Sequence, residues 1–355
     1  MHKILINGDF FCRRLTGIER YAYEITLRLD KLSKPDEIVI IVPKNANNVP
    51  SFSNLKLIRH KKEIKSHFWW QMTTLQWFLI THPEYIILEF GNTCLPFKPG
   101  IVFLHDIYCE FFPEDFISVR DKITRLYSRF QYRLIAHLSR KVVTVSNFSR
   151  NEISKAFNID PLQIDITYSS ADHMRTINSD ASVFTDFPIL AKNSYYFSLG
   201  SLSKRKNIRW IFEYAAKHPE TVFAISGISL STVKIDELNG KTPENVIMLG
   251  YLDDSKIKAL IEKCKAFILP SYYEGFGLTP LEALSCGAQI IIANASSLPE
   301  IYGNTAHYID PYNTDVDLEQ LLREHVEPPF DILKKYSYDT AAKQVYALIQ
   351  KTEIS

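Results

Sequence analysis

The stretch "AFILPSYYEGFGLTPLEALSCG" (266–287) decides how the chain folds. Its continuous apolar start predicts a strand covered on both faces, and the residues after Pro270 form a turn into a helix that begins near Thr279. Thr279 suits the N-cap, Pro280 the first helical position and Glu282 the third, which spells a T-x-x-E capping box; Gly287 then ends the helix. Capping alone accounts for Glu282. It does not account for Gly275 and Gly277, which strip side chains from a loop ahead of a helix N-terminus, where free N–H groups favour an anion such as phosphate. Glu274, on that loop, is placed to accept hydrogen bonds from hydroxyls beyond the phosphate, and Glu282 to reach hydroxyls on the other side.

Working outward, the same strand–helix grammar recurs. "HKILIN" (2–7), "EIVIIV" (37–42), "EYIILE" (84–89), "GIVFLH" (100–105) and "KVVTVS" (141–146) read as buried parallel strands. Between the first two, a helix from about Ile18 to Leu32 carries Tyr21, Ala22, Ile25 and Leu29 on one stripe. A second set follows: "SYYFSLG" (194–200), "TVFAIS" (221–226), "NVIML" (245–249), "AFILP" (266–270) and "QIIIA" (289–293). The polar stretch 173–186 between them has linker composition. The expected organisation is α/β: two Rossmann-like, doubly wound domains over 1–180 and 181–330, with a helical segment 331–355 packing back towards the first. Tandem sheets of this kind put the C-terminal ends of their strands at a shared cleft.

Length and composition agree with two soluble domains: 355 residues, 46% hydrophobic and 23% charged. Residues 1–170 hold 23 Lys/Arg against 17 Asp/Glu, a charge of +6, and the remainder carries −5. That asymmetry is too small to argue for nucleic acid and bears instead on an anionic membrane surface. Five scattered cysteines without a C-x-x-C pair argue against disulfides or zinc. No signal segment or membrane-spanning run is evident, so the expected location is cytoplasmic, with peripheral contact to the inner face of the membrane.

"EGFGLTPLEALSCG" resembles the E-x7-E signature of family 4 glycosyltransferases, retaining enzymes of the GT-B fold. The resemblance implies that Glu282 binds the ribose of a nucleotide sugar and Glu274 contacts the transferred sugar. It also implies that the backbone of Gly275, Phe276, Gly277, Leu278 and Thr279 meets sugar and phosphate. "LGSLSKRKN" (199–207) is similar to the family's G-R-L-x-x-x-K loop, so that Lys206 neutralises the donor diphosphate; the usual arginine is Ser201 here, and Arg205 supplies the missing charge. "LGYLDD" (249–254) resembles the segment passing the nucleobase, with Tyr251 stacking on it or merely packing. "RLTGIERYAYEI" (14–25) resembles the loop approaching donor phosphate through Gly17, and "FLHDIY" (103–108) the segment that carries His105 and Asp106 at a strand end. His105 is either a buried structural residue or a contact to the donor sugar. Ser146 belongs to a family-like segment or simply caps a helix, and Glu300 is a further cleft-lining candidate.

Asp315 and Asp317 spell D-x-D, a cation-binding signature in another glycosyltransferase fold; directly before "LEQLLREH", capping explains them better. No metal and no other cofactor is expected, the sugar nucleotide being a substrate. The basic run 119–141 and the cluster 56–70 beside Phe68, Trp69 and Trp70 are either solvated faces or a surface for anionic lipid and a lipid-pyrophosphate acceptor. The resemblance to mannosyltransferases of bacterial surface-polysaccharide (O-antigen) synthesis points to GDP-mannose as donor and a glycan or lipid-linked acceptor. UDP- or dTDP-sugars, an epimerase and a non-catalytic carbohydrate-binding homologue are the alternatives. A dinucleotide oxidoreductase would want G-x-G-x-x-G after the first strand, and "INGDFFCRRLTG" lacks it.

Overall fold

A computed structural model describes residues 3–192, 194–200, 203–227 and 242–354. The chain forms two compact units: one of the residues up to Phe111, Ser118–Ser169 and those from Tyr336 on, the other of Phe112–Ile117 and Ser170–Lys335.

The first unit is built on a parallel sheet of β1 (Lys3–Asn7), β2 (Ile38–Val42), β3 (Lys56–Arg59), β4 (Tyr85–Glu89), β5 (Ile101–Phe103), β6 (Lys141–Thr144) and β7 (Ile164–Ile166), ordered β3-β2-β1-β4-β5-β6-β7. Its central strands are apolar on both faces because alternate residues serve different cores. Ile4, Ile6, Ile38 and Ile40 join Tyr21, Ile25 and Leu29 of helix Gly17–Leu32, while Leu5, Val39 and Ile41 join Trp70, Leu75 and Leu79 on the opposite face. The final helix, Tyr338–Ile354, adds Tyr338, Ala342, Val345 and Ile349 to the first of these cores. It therefore belongs to the unit that holds the chain's beginning.

The second unit repeats the plan with β8 (Tyr195–Leu199), β9 (Val222–Ser226), β10 (Val246–Gly250), β11 (Ala266–Leu269), β12 (Ile290–Ala293) and β13 (His307–Ile309), ordered β10-β9-β8-β11-β12-β13. The chain winds outward from β8 to β10, then returns to lay β11 beside β8 with Ala266 opposite Tyr196. The order reverses between β8 and β11, and the loops leaving those two strands emerge side by side.

Two expectations are corrected. The division falls at residues 169/170 instead of 180/181, and residues 112–117 join the second unit. The polar stretch 173–186 is not a linker: Asp172–Arg175 is a 3-10 turn and Val183–Asp186 a helical turn, with Met174 and Val183 buried. Its polarity is used in place. Lys258, from helix Asp254–Lys263, donates to the carbonyls of Met174 and Ile177 at 2.8 Å each, and Lys256 pairs with Asp186 at 2.6 Å. No helix among the described residues is long and apolar enough to cross a membrane.

Candidate active site

The loops that leave β8 and β11 carry the charged residues singled out above. After β8 the chain makes a 3-10 turn, Lys204–Lys206, closed by Asn207 in the left-handed region at φ 55°. The Asn207 side chain donates to the carbonyls of Pro270 and Pro311 at 2.9 and 2.8 Å, so the basic turn is fastened to the end of β11. Ser203 N-caps that turn by position, and Ser201 lies outside the described residues. The Lys204 amide donates to Asp115 Oδ1 at 2.6 Å, which ties the turn to the 112–117 segment.

Across from it, Glu274 is buried, and its carboxylate accepts from Lys206 Nζ at 2.7 Å and from Arg205 Nη1 at 3.4 Å. Arg205 also donates to the Tyr273 carbonyl at 3.2 Å. Burial would raise the Glu274 carboxyl, but Lys206 and then Arg205 outweigh it and hold it below the ordinary 4.5. The acid is therefore ionised. Two cations against one carboxylate leave the cluster one positive charge, the sign that meets an anion.

The turn after Glu274 is held by side chains from the next loop. Ser296 accepts from the Glu274 amide at 3.0 Å, Ser297 donates to the Glu274 carbonyl at 3.0 Å, and the buried Tyr302 hydroxyl donates to the Gly277 carbonyl. Gly277 has φ 82°, and a Cβ there would stand 2.5 Å from Leu298 Cδ2, so this position needs glycine twice over. Phe276 turns its ring into the interior.

Here the capping box fails. The helix runs Leu278–Ser285 with Gly277 at the N-cap, so Thr279 is its second residue, Pro280 its third and Glu282 its fifth. The left-handed glycine starts the helix two residues earlier than the capping box implies, and Thr279 Oγ1 is buried with no hydrogen-bond partner among the described residues. Leu278 and Thr279 keep amides that have no acceptor within the helix. Glu282 lies too far along to reach the N-cap; instead its Oε1 sits 3.1 Å from Nε2 of His173, both side chains nearly enclosed. Tyr251, just past β10, is exposed.

The remaining candidates lie on the first unit. Gly17 opens its helix, and a Cβ there would meet nothing within 4 Å, so internal packing does not demand the glycine. His105 is buried, its Nε2 donating to the Phe90 carbonyl at 3.0 Å and its ring edge-on to Tyr21. Burial lowers the imidazole below its ordinary value and favours the neutral form, which carries no positive charge. Asp106 accepts from the Tyr108 amide at 3.2 Å. Ser146 caps helix Asn147–Phe157 by accepting from the Ser149 amide at 3.0 Å. Asp317 of the D-x-D accepts from the Glu319 and Gln320 amides at 2.9 and 3.0 Å, the geometry of an N-cap.

Sequence reasoning missed Asp115, His173, Ser297 and Tyr302, which hold the site from distant points in the chain. It also missed Glu89 at the end of β4, whose carboxylate accepts from Asn7 at 2.7 Å. Burial, reinforced by Asp9, raises that carboxyl well above its ordinary range.

Comparison with known proteins follows the same lines. The sequence pattern of the family Glycosyl transferases group 1 matches residues 183–339. The chain is 26% identical over 335 residues to O-antigen chain mannosyltransferase B of Escherichia coli, covering 87% of each. It is 24% identical over 243 residues to O-antigen chain mannosyltransferase RfbU of Salmonella typhimurium, covering 64% of this chain and 63% of that one. Among solved structures, sucrose-phosphate synthase from Thermosynechococcus elongatus superposes with a TM-score of 0.70 over 99% of both chains at 14% identity. The chain thus has the GT-B fold of the glycosyltransferases, and its residues 183–339 match the glycosyl transferases group 1 family.

Proposed function

We propose that the protein transfers mannose from GDP-mannose to a hydroxyl of a lipid-linked or oligosaccharide acceptor in bacterial surface-polysaccharide synthesis, with retention at the anomeric carbon. The observation that carries this reading is the ionised Glu274 gripped by Lys206 and Arg205 beside a glycine-pinned helix start. The names of the sequence relatives support mannose. In the reaction the bond from the anomeric carbon to the donor phosphate breaks and a bond to the acceptor oxygen forms on the same face. The leaving phosphate takes the acceptor proton. Lys206, Arg205 and the amides of Leu278 and Thr279 stabilise the negative charge that develops on the diphosphate. Glu274 orients the sugar hydroxyls, and Glu282 the ribose. The positive charge comes from the chain itself, so the reading needs no metal and no other cofactor.

GDP at about 100 times its dissociation constant is expected to stabilise the protein by ~2.7 kcal/mol, a rise of roughly 5–10 °C in melting temperature. EDTA should leave that shift unchanged. A shift with UDP or dTDP alone would replace the guanine nucleotide, and none with any of the three would remove the reading.

The acceptor side of the proposal includes contact with the inner face of an anionic membrane. Helix Val119–Leu138 exposes Val119, Ile123, Leu126 and Phe130, a spacing that sets them on one face, with Arg120 and Lys122 exposed beside them. Phe68 packs edge-on against Tyr127 of that helix at 5.2 Å, so the exposed Trp69 extends the same apolar and basic surface. Five free cysteines suit a reducing cytoplasm. The chain is expected to sediment with phosphatidylglycerol vesicles, less so as Leu126→Glu, and not with phosphatidylcholine alone. Sedimentation indifferent to lipid charge would refute this contact.

A further inference from the structure

Glu282 stands where the helix gives it no task. At the fifth position its carboxylate is past the unpaired amides of the first turn, and capping is done by Gly277. A glutamate side chain has three rotatable bonds, and at this position nothing on its own helix holds it. What meets it comes from 109 positions upstream: His173 Nε2 lies 3.1 Å from Oε1, with the two side chains only 5% and 12% exposed.

His173 rides on a backbone that is itself immobilised. In the 3-10 turn Asp172–Arg175 the Met174 amide donates to the Ala171 carbonyl at 3.0 Å, and the Thr176 amide and hydroxyl donate to the His173 carbonyl at 3.1 and 2.9 Å. Lys258 clamps the turn from outside through the carbonyls of Met174 and Ile177. The backbone that carries the imidazole is thus fixed, and from it Nε2 approaches one oxygen of Glu282. The other, Oε2, has no partner among the described residues, and a carboxylate held by one oxygen offers the second in a defined direction.

We infer that His173 is a positioning residue: by holding Oε1 it presents Oε2 of Glu282 to the hydroxyls of the donor ribose. The inference rests on the proposed role of Glu282 and adds to it the residue that makes the contact directional. A histidine serves because a proton on Nε2 addresses the oxygen in the neutral ring as well as in the charged one. A histidine that merely filled space under the helix would affect melting and overall affinity, but not the ability to tell one ribose from another.

The test compares the dissociation constants of GDP and 2′-deoxy- and 3′-deoxy-GDP for the full chain by calorimetry, with the UDP series run in parallel. The wild type is expected to favour the ribonucleotide over at least one deoxy form by about 10–100-fold, the worth of a hydrogen bond to a charged group. Glu282→Ala should abolish that ratio. His173→Leu should reduce it to within about threefold of unity, and His173→Gln, whose amide reaches a similar point, should restore most of it. If His173→Leu does not fold, His173→Asn, whose shorter amide falls short of Oε1, takes its place. A ratio lost in Glu282→Ala but intact in the His173 variants overturns the inference and leaves the ribose role standing. A ratio that survives Glu282→Ala, or is absent from the wild type, overturns both.

Discussion

Lys206→Met is expected to lower kcat/KM for sugar transfer by roughly 10²–10³-fold, the loss seen when one preorganised charge-stabilising donor is removed. The same change also breaks a nearly enclosed ion pair, since Nζ stands 2.7 Å from Glu274 Oε1, and leaving a buried carboxylate underpaired costs about 3–5 kcal/mol. Catalysis and stability separate in the double variant Lys206→Met/Glu274→Gln, which removes the underpaired carboxylate while Arg205 keeps the Tyr273 carbonyl as an acceptor. It should recover most of the lost stability and none of the transfer. Acidity offers a second check. Glu274 is held below its ordinary 4.5 in the folded wild type, so its contribution to stability is complete above that value and fades as pH falls through the depressed one. Without Lys206, burial pushes the carboxyl upward and protonation relieves the variant. The difference in stability between variant and wild type should therefore shrink on acidification from neutrality to about pH 4. A constant difference, or transfer that survives the single substitution, would remove Lys206 from the role assigned to it.

Gly277→Ala has the second large effect. The residue sits at φ 82°, and its new Cβ would fall 2.5 Å from Leu298 Cδ2 while the Gly277 carbonyl is held by Tyr302. A left-handed alanine costs about 1 kcal/mol and overpacking about 1–3 more. Together they lower the melting temperature by on the order of 10 °C. Because the helix start at Leu278 is set by that glycine, the site should lose nucleotide affinity along with stability. A variant that melts within about 2 °C of the wild type would mean the turn tolerates a different start to the helix.

The sheets were legible because a parallel strand buried on both faces must be apolar at every position. Ile4, Leu5 and Ile6 look alike in sequence although they enter opposite cores. The strands that escaped notice lie outermost or nearly so and are short: Lys56–Arg59 is mostly exposed, and Ile164–Ile166 and His307–Ile309 have three residues each. In the site, the residues announced by local pattern, Glu274, Lys206 and Arg205, come together because the sheet order reverses between β8 and β11. The capping box misled because T-x-x-E describes side chains, whereas the helix start was decided by a backbone angle that only Gly277 adopts freely. His173 and Asp115 left no signal, since each meets its partner across a long loop closed only in the fold.

The six residues 112–117 sit in the second unit although the chain on either side of them belongs to the first. No single cut therefore yields the whole second unit. A fragment starting at Ser170 would lack Asp115, the acceptor for the Lys204 amide, and its basic turn would be loose where it should be most rigid. Exchanging the second unit between relatives by grafting requires that this distant hexapeptide travel with the graft.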